Sequence, residues 1–254
     1  YFTSNLGSNR LYLNRGDYRF DDVTDRAGVT GIDGWTSGAT MADVNGDGHV
    51  DIYVSGVSYR TSTGGNVLYI NRGDGTFQDR TNEFGLEHTG YSTQALFLDY
   101  DADGDLDMYL LNHSTHDERE GAGRTGRGAP HPAAGDRLFR NDGNRFVDVS
   151  RESGIHSDAE GYGLGVVASD LDLDGCIDLY VANDFEGDDR LYLNDCEGHF
   201  VESIRGATGH TSRFSMGVDA ADFDNDLRPD IFVADMLPER EEILKTSANA
   251  EPFN

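Results

Sequence analysis

The chain has 254 residues, a formal net charge of −27 and a sequence pI ≈ 4.3. That charge excludes nucleic acid as a partner, because nothing here could neutralise a row of phosphates. Gly is abundant at 32, Pro scarce at 5 and aromatics make up 10%, which excludes collagen-like and disordered chains.

No apolar run approaches the length needed to span a bilayer. The start, "YFTSN", is no secretory leader and reads as the middle of a structural unit, so a leader is expected outside this chain.

In chain order, two motifs alternate. An opening half-unit (1–24) carries "LYLNRGDYRFDDVT" from Leu11. The first full unit (about 35–82) runs from Trp35 through "DVNGDGHVD" at Asp43 and "VDIYVSG" to "LYINRGDGTFQDRT" from Leu68. The second (about 91–150) runs from Tyr91 through "DYDADGDLD" at Asp99 and "LDMYLLN" to "LFRNDGNRFVDVS" from Leu138. The third (about 162–204) runs from Tyr162 through "DLDLDGCID" at Asp170 and "IDLYVAN" to "LYLNDCEGHFVES" from Leu191. A closing half-unit (214–235) holds Phe214, "DFDNDLRPD" at Asp222 and "PDIFVAD". The tail, 236–254, fits no repeat and is read as helix or linker.

From each motif Leu to the next acidic loop is 31 or 32 residues, whereas the return is 25, 39 and 21. Length therefore varies in one connection only, as in a repeated supersecondary unit. The runs between loops are short and rich in β-branched and aromatic residues, so they are strands. Four antiparallel strands per unit of roughly 50–60 residues predict an all-β chain of β-propeller blades, with the acidic loop joining the first two strands of each. A stacked solenoid is the weaker alternative. About four blades are present. Either the two halves pair and close a four-bladed ring, or the chain is a piece of a larger ring; the second is favoured, because "YFTSN" already supplies the second strand of its own blade.

All four loops read D-x-[DN]-x-D-x-x-x-D and together hold sixteen of the 47 carboxylates. Oxygen ligands at positions 1, 3, 5 and 9 suit a hard divalent cation, above all calcium. The predicted ligands are Asp43, Asn45, Asp47 and Asp51; Asp99, Asp101, Asp103 and Asp107; Asp170, Asp172, Asp174 and Asp178; and Asp222, Asp224, Asp226 and Asp230. Position 7 (His49, Asp105, Cys176, Arg228) adds a backbone carbonyl, with the Asp105 side chain expected to face solvent. Gly48, Gly104 and Gly175 allow the bend at position 6. Leu227 there and Pro229 make the fourth loop the least regular, and its occupancy is left open. An EF-hand needs a bidentate Glu at position 12, where this chain has Val54, Leu110, Val181 and Val233. Three to four calcium ions are expected, with Kd of about 10⁻⁴ to 10⁻³ M, values that fill outside cells.

With D-x-[DN]-x-D-G-x-x-D between strands and L-Y-x-N-x-G-x-x-F after them, the chain resembles the FG-GAP/VCBS repeat proteins. "LLNHSTH", "VANDF" and "ADMLPE" resemble phrases of the ASPIC/UnbV (cartilage acidic protein-like) branch. The resemblance covers nearly the whole chain. It implies a calcium-binding propeller like the integrin α head, typically seven-bladed, located outside the cell and without catalytic activity. It also implies that the loop carboxylates are the metal ligands, with Leu227 a departure that leaves only the fourth site in doubt.

Cys176 and Cys196 are the only cysteines. A hairpin centred near Glu186 sets Asp178 opposite Asn194 and Cys176 opposite Cys196, which predicts a disulfide and an oxidising compartment. "RGD" at Arg15–Asp17 and Arg72–Asp74 occupies one turn of the repeat, where geometry rather than adhesion demands Gly and Asp. "NHS" at Asn112 is a glycosylation sequon, informative only if the source is eukaryotic. The one long connection, 112–136, carries His113, His116, Asp117 and His131 and is the candidate ligand loop. It is either a transition-metal site from His113, His116 and a carboxylate, or a polar loop contacting a neighbouring blade, subunit or ligand.

The leading functional expectation is a non-catalytic extracellular module that binds a protein or glycan, with self-association open. The alternatives are a polysaccharide-active enzyme on the same scaffold and a structural subunit of an extracellular assembly. Neither G-x-S-x-G nor H-E-x-x-H occurs to favour an enzyme.

Overall fold

The computed structural model describes residues 1–236 except 33, 60, 62, 63, 115–128 and 186. The tail 237–254, His116 and Asp117 lie outside the described residues.

Runs such as Ile52-Tyr53-Val54 are extended because branched and aromatic side chains pack well on a pleated surface. The opening half-blade pairs β1 (Tyr12–Asn14) with β2 (Phe20–Asp22). The first blade is β3 (Trp35–Ala42), β4 (Asp51–Val57), β5 (Val67–Asn71) and β6 (Phe77–Asp79). The second is β7 (Ser92–Leu98), β8 (Asp107–Asn112), β9 (Arg137–Asn141) and β10 (Phe146–Asp148). The third is β11 (Gly163–Ser169), β12 (Asp178–Asn183), β13 (Arg190–Asn194) and β14 (Phe200–Glu202). The closing half-blade pairs β15 (Ser215–Ala221) with β16 (Asp230–Asp235). Each full blade is a four-stranded antiparallel meander, which is the all-β blade architecture that the repeat predicts. β1–β2 and β15–β16 form two separate sheets.

The first strands of successive blades lie against one another. Thr40 Oγ1 donates to Ala95 O at 2.6 Å, and Thr93 Oγ1 donates to Gly163 O at 2.9 Å. Gly38 permits this approach, since a Cβ there would stand 2.4 Å from Thr93 O. The apolar core lies between blades rather than inside one sheet. Val44, Tyr53 and Leu68 of the first blade pack on Met108, Leu110 and Phe139 of the second. Tyr109, Leu111 and Leu138 of the second pack on Leu179, Val181 and Tyr192 of the third. The second strand of each full blade is therefore covered on both faces. Phe232 of β16 shows the contrast: it is 61% exposed, while its counterpart Tyr53 in β4 is 1% exposed.

Among the described residues, three short helices follow β2, β6 and β14, which periodicity alone did not predict: α1 (Thr24–Ala27), α2 (Thr81–Phe84) and α3 (Ile204–Ala207). Each turns one apolar residue (Ala27, Phe84, Ile204) into the neighbouring core. The β12–β13 register also differs from expectation by one residue, with Leu179 opposite Tyr192 and Tyr180 opposite Leu191. Pairing stops there because the Asp178 carboxylate, not a backbone carbonyl, accepts the Asn194 N–H at 2.9 Å.

Candidate metal centres

Each acidic loop leaves the first strand of its blade and re-enters the sheet at the second. Position 1 caps the turn: Asp43 accepts the N–H groups of Asp47 at 3.1 Å and Gly48 at 2.8 Å. Asp99 does the same for Asp103 and Gly104, both at 3.1 Å. Position 9 closes the loop. Asp51, Asp107, Asp178 and Asp230 each accept the N–H of position 2, at 3.1, 3.2, 2.8 and 2.9 Å. In each full blade the other oxygen of position 9 accepts the N–H of the asparagine that ends the third strand, Asn71, Asn141 or Asn194.

Two positions take left-handed backbone. Position 6 does so as expected, with φ of 87°, 96° and 96° at Gly48, Gly104 and Gly175. Position 4 does so too, at Gly46, Ala102, Leu173 and Asn225. That second kink was not legible, because three of those residues are not glycine. Leu227 adopts φ 70° without a glycine, and its N–H still donates to Asp222 at 2.9 Å. The fourth loop thus follows the same path, at a strain of roughly 1 kcal/mol.

Carboxylate oxygens from positions 1, 3 and 9 lie within 4.8 Å of one another in the second, third and fourth loops: Asp99, Asp101 and Asp107; Asp170, Asp172 and Asp178; Asp222, Asp224 and Asp230. In the first loop Asn45 replaces the middle carboxylate. Position 5 stands outside these groups. Asp47, Asp103, Asp174 and Asp226 each spend one oxygen on the position-7 N–H, at 2.9, 3.0, 2.9 and 2.9 Å. Asp105 corrects the expectation that it faces solvent: one of its oxygens is buried and has no hydrogen-bond partner. Position 7 leans toward the β-turn of its own blade, as His49 does against Gly73 and Cys176 against Cys196.

Burial raises the carboxyl pKa at particular positions of the first three loops, while hydrogen bonds from Asn45 and the His49 N–H lower that of Asp47. Asp107 is pushed up to about 7, chiefly by burial and secondarily by Asp101 and Asp105. Burial likewise raises Asp51, Asp101, Asp105 and Asp178, with neighbouring aspartates adding to the effect. Asp101 Oδ1 and Asp170 Oδ1 are buried without any hydrogen-bond partner. Such atoms are costly unless something positive meets them.

The disulfide is present. Cys176 and Cys196 are bonded with Cα atoms 5.5 Å apart, tying position 7 of the third loop to the β13–β14 turn.

Of the candidate residues on the long connection, only His113 and His131 fall among the described residues, and they serve the fold. His131 Nδ1 accepts the N–H of Ala134 at 3.0 Å, and His113 packs edge-on against Tyr162 with ring centroids 5.2 Å apart. Among the described residues no histidine belongs to a group able to hold an ion. Asn112 is fully buried, donates to Gly135 O at 2.7 Å and accepts from Ser92 Oγ at 2.9 Å, so the sequon is a structural joint. The second RGD is a turn as well, with Asp74 accepting the N–H of Thr76 at 2.9 Å.

Sequence reasoning missed a buried ionic group at the other end of the strands. Arg190 bonds Asp158 at 3.0 Å and stands 3.9 Å from Asp136, which in turn accepts the Tyr109 hydroxyl at 2.9 Å. Asp136 belongs to a repeated position with Asn66 and Asp189, each accepting a backbone N–H from the end of the second strand. The sequence signal was available, as an Asn or Asp two residues before each third-strand Leu (Leu68, Leu138 and Leu191).

The family model for the FG-GAP-like repeat matches residues 1–54, 57–110 and 170–233. Cartilage acidic protein 1 of Xenopus tropicalis is 29% identical over 184 residues, covering 70% of this chain and 25% of that protein. The human protein of the same name is 29% identical over 70% of this chain and 24% of its own length. The mouse protein is 36% identical over 37% of this chain and 15% of its own. The chain thus spans about a quarter of the length of the first two relatives. An Agrocybe aegerita lectin, solved for its recognition of non-reducing terminal N-acetylglucosamine, aligns over 77% of this chain and 45% of its own with 19% identity and a TM-score of 0.36, too low to carry an argument. With three repeats matched over most of its length, the chain belongs to the FG-GAP-like repeat family.

Proposed function

We propose that this chain is a non-catalytic, extracellular, calcium-binding set of propeller blades that presents loops to a protein or glycan. The observation that carries the calcium reading is the convergence of positions 1, 3 and 9 within 4.8 Å, with buried oxygens of Asp101 and Asp170 left unpartnered. Like charges so close and so buried disfavour ionisation unless a cation accompanies them. The donor set is all oxygen and rich in carboxylate, which suits a hard ion and not a transition metal. A bound calcium ion would supply the positive charge that these loops lack. Asp99, Asp101 and Asp107 and their counterparts would hold it, with position 5 and the position-7 carbonyl at hand to complete the shell.

The extracellular reading rests on the disulfide, which persists in oxidising compartments, and on relatives named for cartilage. The expectation that this is a binding module and not an enzyme rests on the site chemistry. The clustered carboxylates of the second, third and fourth loops are assigned to the ion, which leaves them unavailable as acid and base. Isothermal titration with calcium tests the reading. Wild type should bind several ions in the Kd range of about 10⁻⁴ to 10⁻³ M, and Asp172→Asn should bind one fewer. A glycan array and an activity screen on acidic polysaccharides separate binding from turnover. Cleavage of any polysaccharide would overturn the non-catalytic reading.

A further inference from the structure

The asparagine that ends each third strand does more than cap position 9. Its side-chain amide also donates to the position-8 carbonyl of the same loop: Asn71 to Val50 at 3.0 Å, Asn141 to Leu106 at 3.2 Å and Asn194 to Ile177 at 3.2 Å. Two of these amides reach across the blade boundary as well. Asn141 Nδ2 donates to Val44 O at 3.3 Å, and Asn194 Nδ2 donates to Tyr100 O at 2.7 Å. Val44 and Tyr100 are position 2 of the first and second loops, each set between the position-1 and position-3 residues. Both asparagines are 3% exposed, so water does not replace these bonds at little cost. The side chains beside them are fixed too: Val44 packs against the second blade, and Tyr100 stacks on Phe200 of the third with centroids 6.0 Å apart.

A hydrogen-bonded chain therefore runs from the first loop through Asn141 to the second, and through Asn194 to the third. We propose that calcium binding to these three loops is positively cooperative and that Asn141 and Asn194 carry the coupling. The proposal rests on the calcium reading above. An ion held by positions 1 and 3 fixes the carbonyl of position 2 between them. That carbonyl holds the amide of the next blade's asparagine, which holds positions 8 and 9 of the next loop. Filling one loop thus pre-orders its neighbour, and linkage makes the effect mutual. Direct electrostatics has the opposite sign, because a filled loop is less negative and attracts a second cation less. The sign of the coupling therefore identifies its route.

The test counts bound calcium by native mass spectrometry along a titration, with circular dichroism as the check on folding. The second loop has five carboxylates. Asp99→Asn/Asp101→Asn leaves it with three, the net charge of the wild-type loop holding a divalent ion, so charge is matched while the ion is lost. The proposal expects wild type to under-populate partly loaded species, and the remaining ions of the double variant to bind about tenfold more weakly. Asn194→Ser should weaken the third loop less in the double-variant background than in wild type, whereas a merely structural asparagine would weaken it equally in both. Binomial loading, with the remaining sites indifferent to loss of the second, would overturn the coupling and leave the calcium reading standing. Retention of no ion at all would overturn both.

Discussion

The disulfide offers a prediction whose size follows from the fold. Cys176 and Cys196 are 20 residues apart in sequence, and the connection 184–189 already closes the β12–β13 hairpin at its other end. The bond therefore adds no reach in the native state, where the Cα atoms stand 5.5 Å apart. Its contribution lies in the unfolded chain, from which closing a loop of that size removes entropy worth about 3 kcal/mol at 25 °C. For a domain of this size each kcal/mol moves the midpoint by about 2–4 °C, so the double variant Cys176→Ser/Cys196→Ser should melt about 6–12 °C lower. The double variant is the right perturbation, since a single one leaves an unpaired thiol beside Asp174. Differential scanning calorimetry in saturating calcium gives the shift, and non-reducing gel mobility confirms loss of the bond. A variant that melts with wild type would refute the assignment of stability to this cross-link. A further drop in calcium affinity at the third loop alone would show that the bond also holds position 7 for the ion.

Other outcomes follow from the buried charges and close approaches. Arg190→Ala leaves Asp158 and Asp136 buried without their cation, and should cost about 3–5 kcal/mol in urea denaturation. In chelator, stability should fall as pH rises from about 4 toward 7. Asp107 has its folded pKa raised to about 7 and Asp136 to about 6, so the folded state holds protons that the unfolded state has already released. Carboxylates with lowered values, such as Asp22 and Asp195, have finished titrating below that window; His88, lowered by burial to about 4, opposes the slope but is outweighed by Asp107 and Asp136 together. Saturating calcium should flatten the Asp107 part, leaving Asp136 to give a residual slope; melting curves at pH 5 and 7.5 in both buffers check it. Gly135→Ala places a Cβ 1.9 Å from Ser157 O, a backbone atom that cannot swing away. It should cost about 1–3 kcal/mol or more, read by the same melt.

The all-β architecture of four-stranded antiparallel sheets was legible because the repeat is written in alternating apolar residues and fixed spacings. The disulfide was legible for the same reason, although the register behind it was displaced by one residue. The displacement has a physical source: Asp178 substitutes a side-chain acceptor for a ladder bond, which hydrophobic patterning does not encode. The left-handed residues at position 4 were hidden, since Ala102 and Leu173 give no sign of positive φ. The inward turn of Asp105 was hidden as well, because alternation along a loop does not fix side-chain direction. Asn141 and Asn194 were in view as the last letter of "LFRN" and "LYLN", yet their reach to Val44 and Tyr100 depends on how blades pack, which one blade's sequence cannot state.

The most direct test of the central claim is the thermal midpoint of the intact chain in saturating calcium and in excess EDTA. If divalent ions neutralise the clustered aspartates, calcium raises the midpoint, by about 2.7 kcal/mol of stabilisation per site at a hundredfold excess over Kd, and Asp101→Asn removes part of the rise. Superimposable melts in the two buffers would contradict the account, because the loops would then close without the charge they lack.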